Sequence, residues 1–237
     1  MRNRDALERF DGDSGIMTDD PLALARETML KRHLGGRDIS DPRVLDAMRR
    51  VPREEFVPEA YRDAAYDDRA LGIGCGQTIS QPYVVAAIAQ ACCLNGSEHV
   101  LDVGTGSGYQ AAVLAELAAS VVTIERHGEL SRHAAATLDR LGYKNILCVV
   151  GDGTLGYAPE APYDAIVAAA ATLEIPPALF EQLRDGGRMV LPLGGFDDQV
   201  LYAIRKHGAK SQMMPLFPCR FVPLVPEDAE GRMQNEE

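Results

Sequence analysis

The 237-residue chain contains no tryptophan, few cysteines and no long apolar run. Its five cysteines are an odd number and none belongs to a Cys-x-x-Cys pair, so a disulfide framework and a zinc site are both disfavoured. No stretch approaches the roughly 18 consecutive apolar residues that a membrane-spanning helix needs. The N-terminal residues also lack the apolar core of a signal peptide. We therefore expect a cytoplasmic protein that binds neither a membrane nor a metal.

Positive charge is scarce as well. The 24 Lys and Arg residues are outnumbered by 35 Asp and Glu residues, which leaves a formal net charge of −11. Because such a surface repels phosphate backbones, nucleic-acid binding through a broad basic face is disfavoured. Hydrophobic residues make up 46% of the chain, a share typical of globular proteins that bury a core.

The chain divides into an unpatterned start and a patterned remainder. Residues 1–20 show no apolar periodicity, and we predict a mobile lead there. Residues 21–237 are predicted to form a single domain. Its first part, residues 21–98, holds helices and an irregular glycine-containing segment, and Asp41-Pro42 is typical of a helix start. Its second part, residues 99–225, is predicted to be a sheet core.

Strands and helices alternate throughout this second part. We predict strands at 99–103, 120–124, 146–150, 163–167, 188–193 and 199–205, with a last one inside 213–224. Helices are predicted at 110–117, 129–141 and 177–183. This order favours an α/β fold with a mostly parallel sheet, helices on both faces and right-handed crossovers.

The sharpest local signal is the segment Val100–Tyr109, in which a strand leads into three glycines and then a helix. Glycine tolerates a positive φ and lets a ligand approach the backbone beside a helix N-terminus. The glycines, at Gly104, Gly106 and Gly108, differ in spacing from the G-x-G-x-x-G dinucleotide fingerprint, and no Walker Lys follows them. With Asp102 before it, the loop resembles that of the Rossmann-like S-adenosylmethionine methyltransferases.

Two further acids end strands near this loop. Glu125 follows the second strand, where a carboxylate can accept hydrogen bonds from both ribose hydroxyls, and Asp152 follows the third, near the expected adenine edge. Each acid could instead be a helix cap or a solvated turn residue. A dinucleotide site would also use Glu125, but it does not predict Gly151-Asp152-Gly153.

Four segments together resemble one family, the protein-L-isoaspartate O-methyltransferases in their bacterial form. They are GCGQTISQPY at 74–83, the glycine loop, Gly151-Asp152-Gly153 and RFVPL at 220–224. The resemblance runs from about Ala23 to Val225. The stretch Gln77–Pro82 is its most specific part, because it lies outside the cofactor fold.

This resemblance implies a class I methyltransferase fold with seven strands and an N-terminal helical extension. It also implies S-adenosylmethionine as the methyl donor, with S-adenosylhomocysteine as its product, and a monomer. The substrates would be damaged proteins and peptides, methylated on the free α-carboxylate of L-isoaspartyl residues. The ester then collapses to a succinimide, so the function would be protein repair.

The resemblance also implies roles for individual residues. Ser80 would donate a hydrogen bond to the acceptor carboxylate, although from sequence alone it could equally cap the helix that follows. The cofactor would be bound by Gln77, Thr78, Asp102, Gly104, Thr105, Gly106, Ser107, Gly108, Glu125, Asp152 and Gly153. The substrate would contact Ile79, Ala169, Val222, Pro223 and Leu224, unless the last three are simply part of an edge strand with proline.

The chain departs from the family pattern at a few positions. Ala168 stands where threonine is common, Ala171-Thr172 replaces a proline pair, and Gly72 stands where proline is usual. These departures leave open a same-fold methyltransferase that acts on another carboxylate or peptide acceptor. A non-catalytic module that senses the cofactor is the third possibility.

Overall fold

The first helix of the computed structural model, which describes residues 20–226, begins where the predicted lead ends. Asp20, assigned to that lead, instead caps the helix: its carboxylate accepts a hydrogen bond from the Leu22 N–H at 3.0 Å. The prediction for residues 1–19 lies outside the described residues.

The N-terminal part is helical, as predicted. Helix α1 (Pro21–Thr28) continues into a π-helical segment (Met29–Leu34), and α2 (Pro42–Arg50) follows. The predicted start of α2 is confirmed, since the Asp41 carboxylate accepts a hydrogen bond from the Arg43 N–H at 2.9 Å. Two short 3-10 helices come next, Arg53–Glu55 and Glu59–Ala64.

The segment expected to be irregular contains a β-hairpin. Strand β1 (Leu71–Gly74) pairs antiparallel with β2 (Gln77–Ile79), and helix α3 (Pro82–Cys92) begins three residues later. The turn consists of Gly74, Cys75 and Gly76, all with positive φ. The prediction missed the hairpin because its strands have only four and three residues and show no apolar alternation.

A seven-stranded sheet with the order β5-β4-β3-β6-β7-β8-β9 forms the rest of the fold. Neighbouring strands from β5 to β7 are parallel, and β8 and β9 are antiparallel, so the prediction of a mostly parallel sheet is confirmed. The strands are β3 (His99–Val103), β4 (Ser120–Glu125), β5 (Ile146–Val150), β6 (Tyr163–Ala168), β7 (Leu183–Leu193), β8 (Val200–His207) and β9 (Lys210–Pro218). The helices between them are α4 (Tyr109–Ala115), α5 (Gly128–Arg140) and α6 (Pro177–Gln182).

The last strand differs from its prediction. It begins at Lys210, three residues before the predicted range of 213–224 and directly after a turn at Gly208 with φ of +58°, and it ends inside that range at Pro218. The residues that follow are therefore free to leave the sheet edge and lie near the ends of other strands.

Helices cover both faces of the sheet, as predicted. Alternate residues of β3 point to opposite faces: Val100 packs in a core cluster with α3 and α4, and Leu101 packs in a second cluster with Leu179 of α6. The first cluster also includes Met29 and Met48 from the N-terminal helices. Within residues 20–226, no helix is both long enough and apolar enough to cross a membrane.

Candidate functional site

A cavity of about 720 Å³ opens at the carboxyl ends of β3, β4 and β6. Its walls come from the residues just after these strands, from the β1–β2 hairpin and from the chain beyond β9. Ligands of open α/β sheets bind at this end of the strands. The order of the strands thus brings together segments that are far apart in the sequence.

The glycine loop forms one wall of this cavity. Gly104 and Gly106 line it and have φ values of +94° and +52°, a region that favours glycine. The Gly104 N–H donates to the Ile124 carbonyl at 2.9 Å, which ties the loop to the neighbouring strand. Gly108 does not line the cavity. A Cβ there would lie 3.2 Å from the Ala134 Cβ, so this glycine allows α4 and α5 to approach closely.

Glu125 lies at the end of β4, on the cavity wall. One carboxylate oxygen accepts a hydrogen bond from the Gly106 N–H at 2.9 Å, and the other accepts one from the His127 N–H at 3.0 Å. A carboxylate oxygen can accept a second hydrogen bond. Glu125 therefore holds the glycine loop in place and still has lone pairs for the hydroxyls of a bound nucleoside.

Asp102 requires a correction. Its side chain is fully buried and does not line the cavity, because its oxygens already accept hydrogen bonds from Gln110 Nε2 at 2.8 Å and Thr123 Oγ1 at 2.9 Å. Burial raises the pKa of this carboxyl group to about 6. Direct contact with a cofactor does not fit this geometry. Asp102 instead connects β3 to β4 and α4 beneath the glycine loop.

Three other residues of the predicted cofactor set also lie behind the cavity wall. The buried Thr105 hydroxyl is 2.7 Å from the Thr123 hydroxyl, and the Ser107 hydroxyl accepts a hydrogen bond from the Tyr109 N–H at 3.4 Å. The Asp152 carboxylate caps a short 3-10 turn through the Thr154 N–H at 2.8 Å, which agrees with the helix-cap alternative. These side chains shape the walls and do not line the cavity themselves.

Gly153, by contrast, lines the cavity. A Cβ at this position would lie 2.6 Å from Val103 Cγ1, closer than carbon atoms can pack. Glycine is therefore needed for the turn after β5 to lie against the end of β3.

The β1–β2 hairpin lies above the glycine loop, because Ile73 Cδ1 is 3.3 Å from the point where a Gly106 Cβ would be. It brings Gln77, Thr78 and Ser80 to the cavity wall. Ile79 does not reach the cavity: it is 4% exposed and packs in the core, since side chains alternate along a strand. Its predicted contact with a substrate therefore does not fit the structure.

Ser80 is not a helix cap. The N-cap of α3 is Gln81, without a side-chain cap, and Ser80 precedes it. The Ser80 hydroxyl makes no hydrogen bond with any of residues 20–226, and the residue lines the cavity, half-buried. The hydroxyl is thus available to a ligand.

The chain beyond β9 forms a further part of the cavity lining, and Leu224 Cδ1 lies 3.5 Å from the point where a Gly153 Cβ would be. Val222, Pro223 and Leu224 all line it, together with Ala169. They pair with Ala171 and not with the sheet edge: the Ala171 N–H donates to the Val222 carbonyl at 2.8 Å, and the Leu224 N–H donates to the Ala171 carbonyl at 2.7 Å.

Two of the departures from the family pattern take part in this arrangement. The N–H of Ala171 bonds to Val222, and the N–H of Thr172 bonds to the Pro192 carbonyl at 3.2 Å. Proline has no N–H and could make neither bond. Ala168 is buried in β6, behind the cavity wall.

Gln199 was missed by the sequence analysis. This buried side chain bonds both backbone polar groups of Phe221, since its Oε1 accepts from the Phe221 N–H at 2.6 Å and its Nε2 donates to the Phe221 carbonyl at 3.1 Å. It fixes the segment that leads to Val222. A lone glutamine at the start of a strand carries no pattern that could have identified it.

Three arginines on the cavity lining were also missed, namely Arg37, Arg126 and Arg220. The Arg37 guanidinium lies 3.4 Å from the centroid of the Tyr83 ring, and that of Arg220 lies 4.4 Å from the centroid of the Phe196 ring. Aromatic faces favour such cations. The cavity therefore carries positive charge on a protein that is acidic overall. Among the residues that the structure describes, no group of acidic, His and Cys side chains could hold a metal ion.

Comparisons with known proteins identify the family of this chain. A family profile described as protein-L-isoaspartate(D-aspartate) O-methyltransferase matches residues 25–229. A protein-L-isoaspartate O-methyltransferase of Koribacter versatilis is 52% identical over 204 residues, which cover 86% of this chain and 92% of the relative. A protein-L-isoaspartate O-methyltransferase of Methanoculleus marisnigri is 49% identical over 209 residues, which cover 88% of this chain and 95% of the relative.

Solved structures give the same result. A protein-L-isoaspartate O-methyltransferase superposes with a TM-score of 0.78 at 27% identity, covering 90% of this chain and 71% of the other. A β-aspartate methyltransferase of Plasmodium falciparum, in complex with S-adenosyl-L-homocysteine, gives a TM-score of 0.71 at 25% identity and covers 84% and 98%. Because the profile and these relatives span most of the sequence, this chain belongs to the protein-L-isoaspartate O-methyltransferase family.

Proposed function

We propose that this protein is a repair enzyme that transfers a methyl group from S-adenosylmethionine to the free α-carboxylate of L-isoaspartyl residues in damaged proteins and peptides. The proposal rests on the Ser80 hydroxyl, which has no hydrogen-bond partner within residues 20–226 and belongs to a residue that lines the same cavity as Gly104, Gly106 and Glu125. One cavity thus offers a nucleoside site and a hydrogen-bond donor for an acid. Membership of the family supplies the class of donor and acceptor.

The residues around the glycine loop fit this cofactor. Glu125 offers lone pairs to ribose hydroxyls, and the loop holds two glycines with positive φ on the cavity wall. The loop has no lysine for a phosphate chain, which agrees with a donor that carries no phosphate. Gln77, Thr78 and Gly153 complete the proposed binding residues. When bound, S-adenosylmethionine supplies an electrophilic methyl group on a positively charged sulfur.

The acceptor needs no general base. A carboxylic acid with a pKa near 4 is already ionised and nucleophilic at neutral pH. The work of the protein is to hold the acid in line with the methyl group, at a separation of about 3 to 3.5 Å. In the proposal, Ser80 does this by donating its hydroxyl hydrogen bond to the acid.

The cavity lining also suits a negatively charged acceptor. Arg220 supplies positive charge on the lining, as does Arg37, although Arg37 also forms an ion pair with Asp68 at 3.4 Å; such charge raises the local concentration of an acid. The proposed peptide contacts are Ala169, Val222, Pro223 and Leu224, which lie on one connected part of the wall. Because charge is neutralised as the methyl group moves, a site that excludes water favours the step.

The test is labelled methyl transfer to an isoaspartyl peptide and to its aspartyl twin. We expect labelling of the first and none of the second. In a Ser80→Ala variant, kcat/KM is expected to fall about 10- to 100-fold, because a hydrogen bond to a charged group contributes about 1.5–3 kcal/mol. The affinity for S-adenosylhomocysteine should change much less, and Ser211→Ala on the exposed strand β9 serves as the control.

Several outcomes would contradict the proposal. Equal labelling of both peptides would remove the isoaspartyl specificity, and a much better carboxylate acceptor of another kind would favour the alternative enzyme. Full activity of the Ser80→Ala variant would remove the role of that residue.

We also propose that residues 21–226 form one domain and that the enzyme is a monomer of the cytoplasm; the rest of the predicted domain, residues 227–237, lies outside the described residues. The shared core cluster of N-terminal helices and sheet supports a single domain. Five free cysteines within the described residues suit a reducing compartment. Light scattering of the purified protein would give a mass near 25.7 kDa for a monomer.

A further inference from the structure

Arg53 is a fully buried arginine to which the proposed reaction assigns no role. Its Nε donates a hydrogen bond to the Ala65 carbonyl at 2.7 Å, and its Nη2 donates one to the Ser80 carbonyl at 2.7 Å. Its Nη1 has no partner among the described residues. Placing a guanidinium in a core is costly unless it is well bonded, so this residue is not ordinary core packing.

The flat face of the Arg53 guanidinium lies against an aromatic ring. The Arg53 Cζ is 4.7 Å from the centroid of the Tyr109 ring, a distance that favours a cation over a π-system. Tyr109 is the first residue of α4, directly after the glycine loop. Arg53 thus contacts both the proposed acceptor-binding segment and the element that follows the proposed cofactor loop.

The connection at Ser80 has few other restraints. Only Ser80 and Gln81 join β2 to α3, and α3 has no side-chain cap. Gln81 precedes proline and is extended, with φ of −50° and ψ of +137°, as the proline requires. The orientation of the Ser80 peptide is therefore set largely by the partner of its carbonyl, which is Arg53.

We propose that Arg53 is a positioning residue for methyl transfer: by holding the Ser80 carbonyl while resting on the Tyr109 ring, it fixes the Ser80 hydroxyl relative to the glycine loop. This inference rests on the proposed function. It assigns Arg53 no contact with the substrate, because the residue does not line the cavity.

The test is a double-mutant cycle that combines Arg53→Met with Ser80→Ala. Misplacement of a reacting group by about 1 Å can cost about 100-fold in rate. We therefore expect Arg53→Met alone to lower kcat about 10- to 100-fold, by no more than Ser80→Ala does, while KM and the Kd for S-adenosylhomocysteine stay within about threefold of wild type. In the Ser80→Ala background the same substitution is expected to lower kcat by less than about threefold, since residues that act through one another are not additive.

Arg53→Lys is the second variant, in case the first does not fold. Its ammonium can still donate to the Ser80 carbonyl but lacks the planar fork, so an intermediate loss of kcat is expected, with the same dependence on Ser80. Arg26→Met is the matched control. Arg26 bonds to Tyr66 and Glu54 in the same region without contacting Ser80, so its loss should lower the melting temperature, leave kcat unchanged and add to the effect of Ser80→Ala.

The outcomes separate the two proposals. A wild-type enzyme that does not methylate the isoaspartyl peptide refutes the proposed function. If the wild type is active, only the role of Arg53 is refuted by Arg53 variants that keep full kcat. The same holds if kcat of these variants falls by the same factor with and without the Ser80 hydroxyl. Full turnover of Ser80→Ala overturns the roles of both residues.

Discussion

Replacement of Gly153 by alanine is expected to destabilise the protein and to weaken cofactor binding. The added Cβ would lie 2.6 Å from Val103 Cγ1, whereas carbon atoms in contact are about 3.5–4.0 Å apart, so the two must separate by about 1 Å. Val103 cannot yield easily. It is fully buried at the end of β3 and paired with Ile124 on one side and Ala168 on the other.

Overpacking of this kind costs about 1–3 kcal/mol. For a protein of this length, 1 kcal/mol corresponds to about 2–4 °C, so the melting temperature should fall by about 2–12 °C. Thermal unfolding followed by circular dichroism measures the first effect. Titration calorimetry with S-adenosylhomocysteine measures the second, since Gly153 lines the proposed cofactor end of the cavity.

Gly72→Ala is the control for this prediction. The nearest atom to a Cβ at Gly72 is Tyr61 Cε2 at 4.0 Å, and the φ of this residue is not positive. The melting temperature of the Gly72→Ala variant should therefore stay near that of the wild type. If Gly153→Ala unfolds at the wild-type temperature and binds the nucleoside equally well, the close packing of the turn against β3 is refuted.

Two further predictions concern the acids beside the glycine loop. Glu125→Gln leaves one of two backbone N–H groups facing an amide NH₂, so calorimetry should show about 10- to 100-fold weaker binding of S-adenosylhomocysteine. The exposed Glu129→Gln variant is the control and should bind with the wild-type affinity. Equal affinities of the Glu125→Gln variant and the wild type would contradict the role of Glu125. Burial raises the pKa of Asp102 from 3.8 to about 6, so the folded state binds this proton more tightly and the group lowers stability as the pH rises from about 4 to about 6. The Asp102→Asn variant lacks this pH-dependent loss of stability. In urea unfolding, the difference in free energy of unfolding between variant and wild type should therefore shift in favour of the variant as the pH rises from about 4 to about 6. A difference that stays constant over this range would show that the carboxyl group does not titrate there.

Much of the fold could be predicted because local patterns and tertiary packing agree. Parallel strands buried on both faces appear as short apolar runs, as at residues 165–168, and the Asp41-Pro42 pair marks a helix start that the structure confirms. The hairpin before α3 escaped prediction, because three consecutive residues with positive φ form a turn that no apolar alternation announces.

The site was less predictable, for a physical reason. A motif indicates which residues lie near a ligand but not which way each side chain points. Asp102 belongs to the cofactor loop motif, yet its carboxylate faces Gln110 and Thr123 inside the protein. Gln199 and Arg53 act through backbone carbonyls that are distant in the sequence, and such contacts leave no local pattern.

The proposed function requires one cavity to bring the methyl donor and an isoaspartyl acid together beside Ser80. A crystal structure with S-adenosylhomocysteine and an isoaspartyl peptide would show whether it does. We expect the nucleoside beside Glu125 and the isoaspartyl carboxylate within about 2.5–3.0 Å of the Ser80 hydroxyl oxygen. A carboxylate bound elsewhere, or a nucleoside outside this cavity, would contradict it.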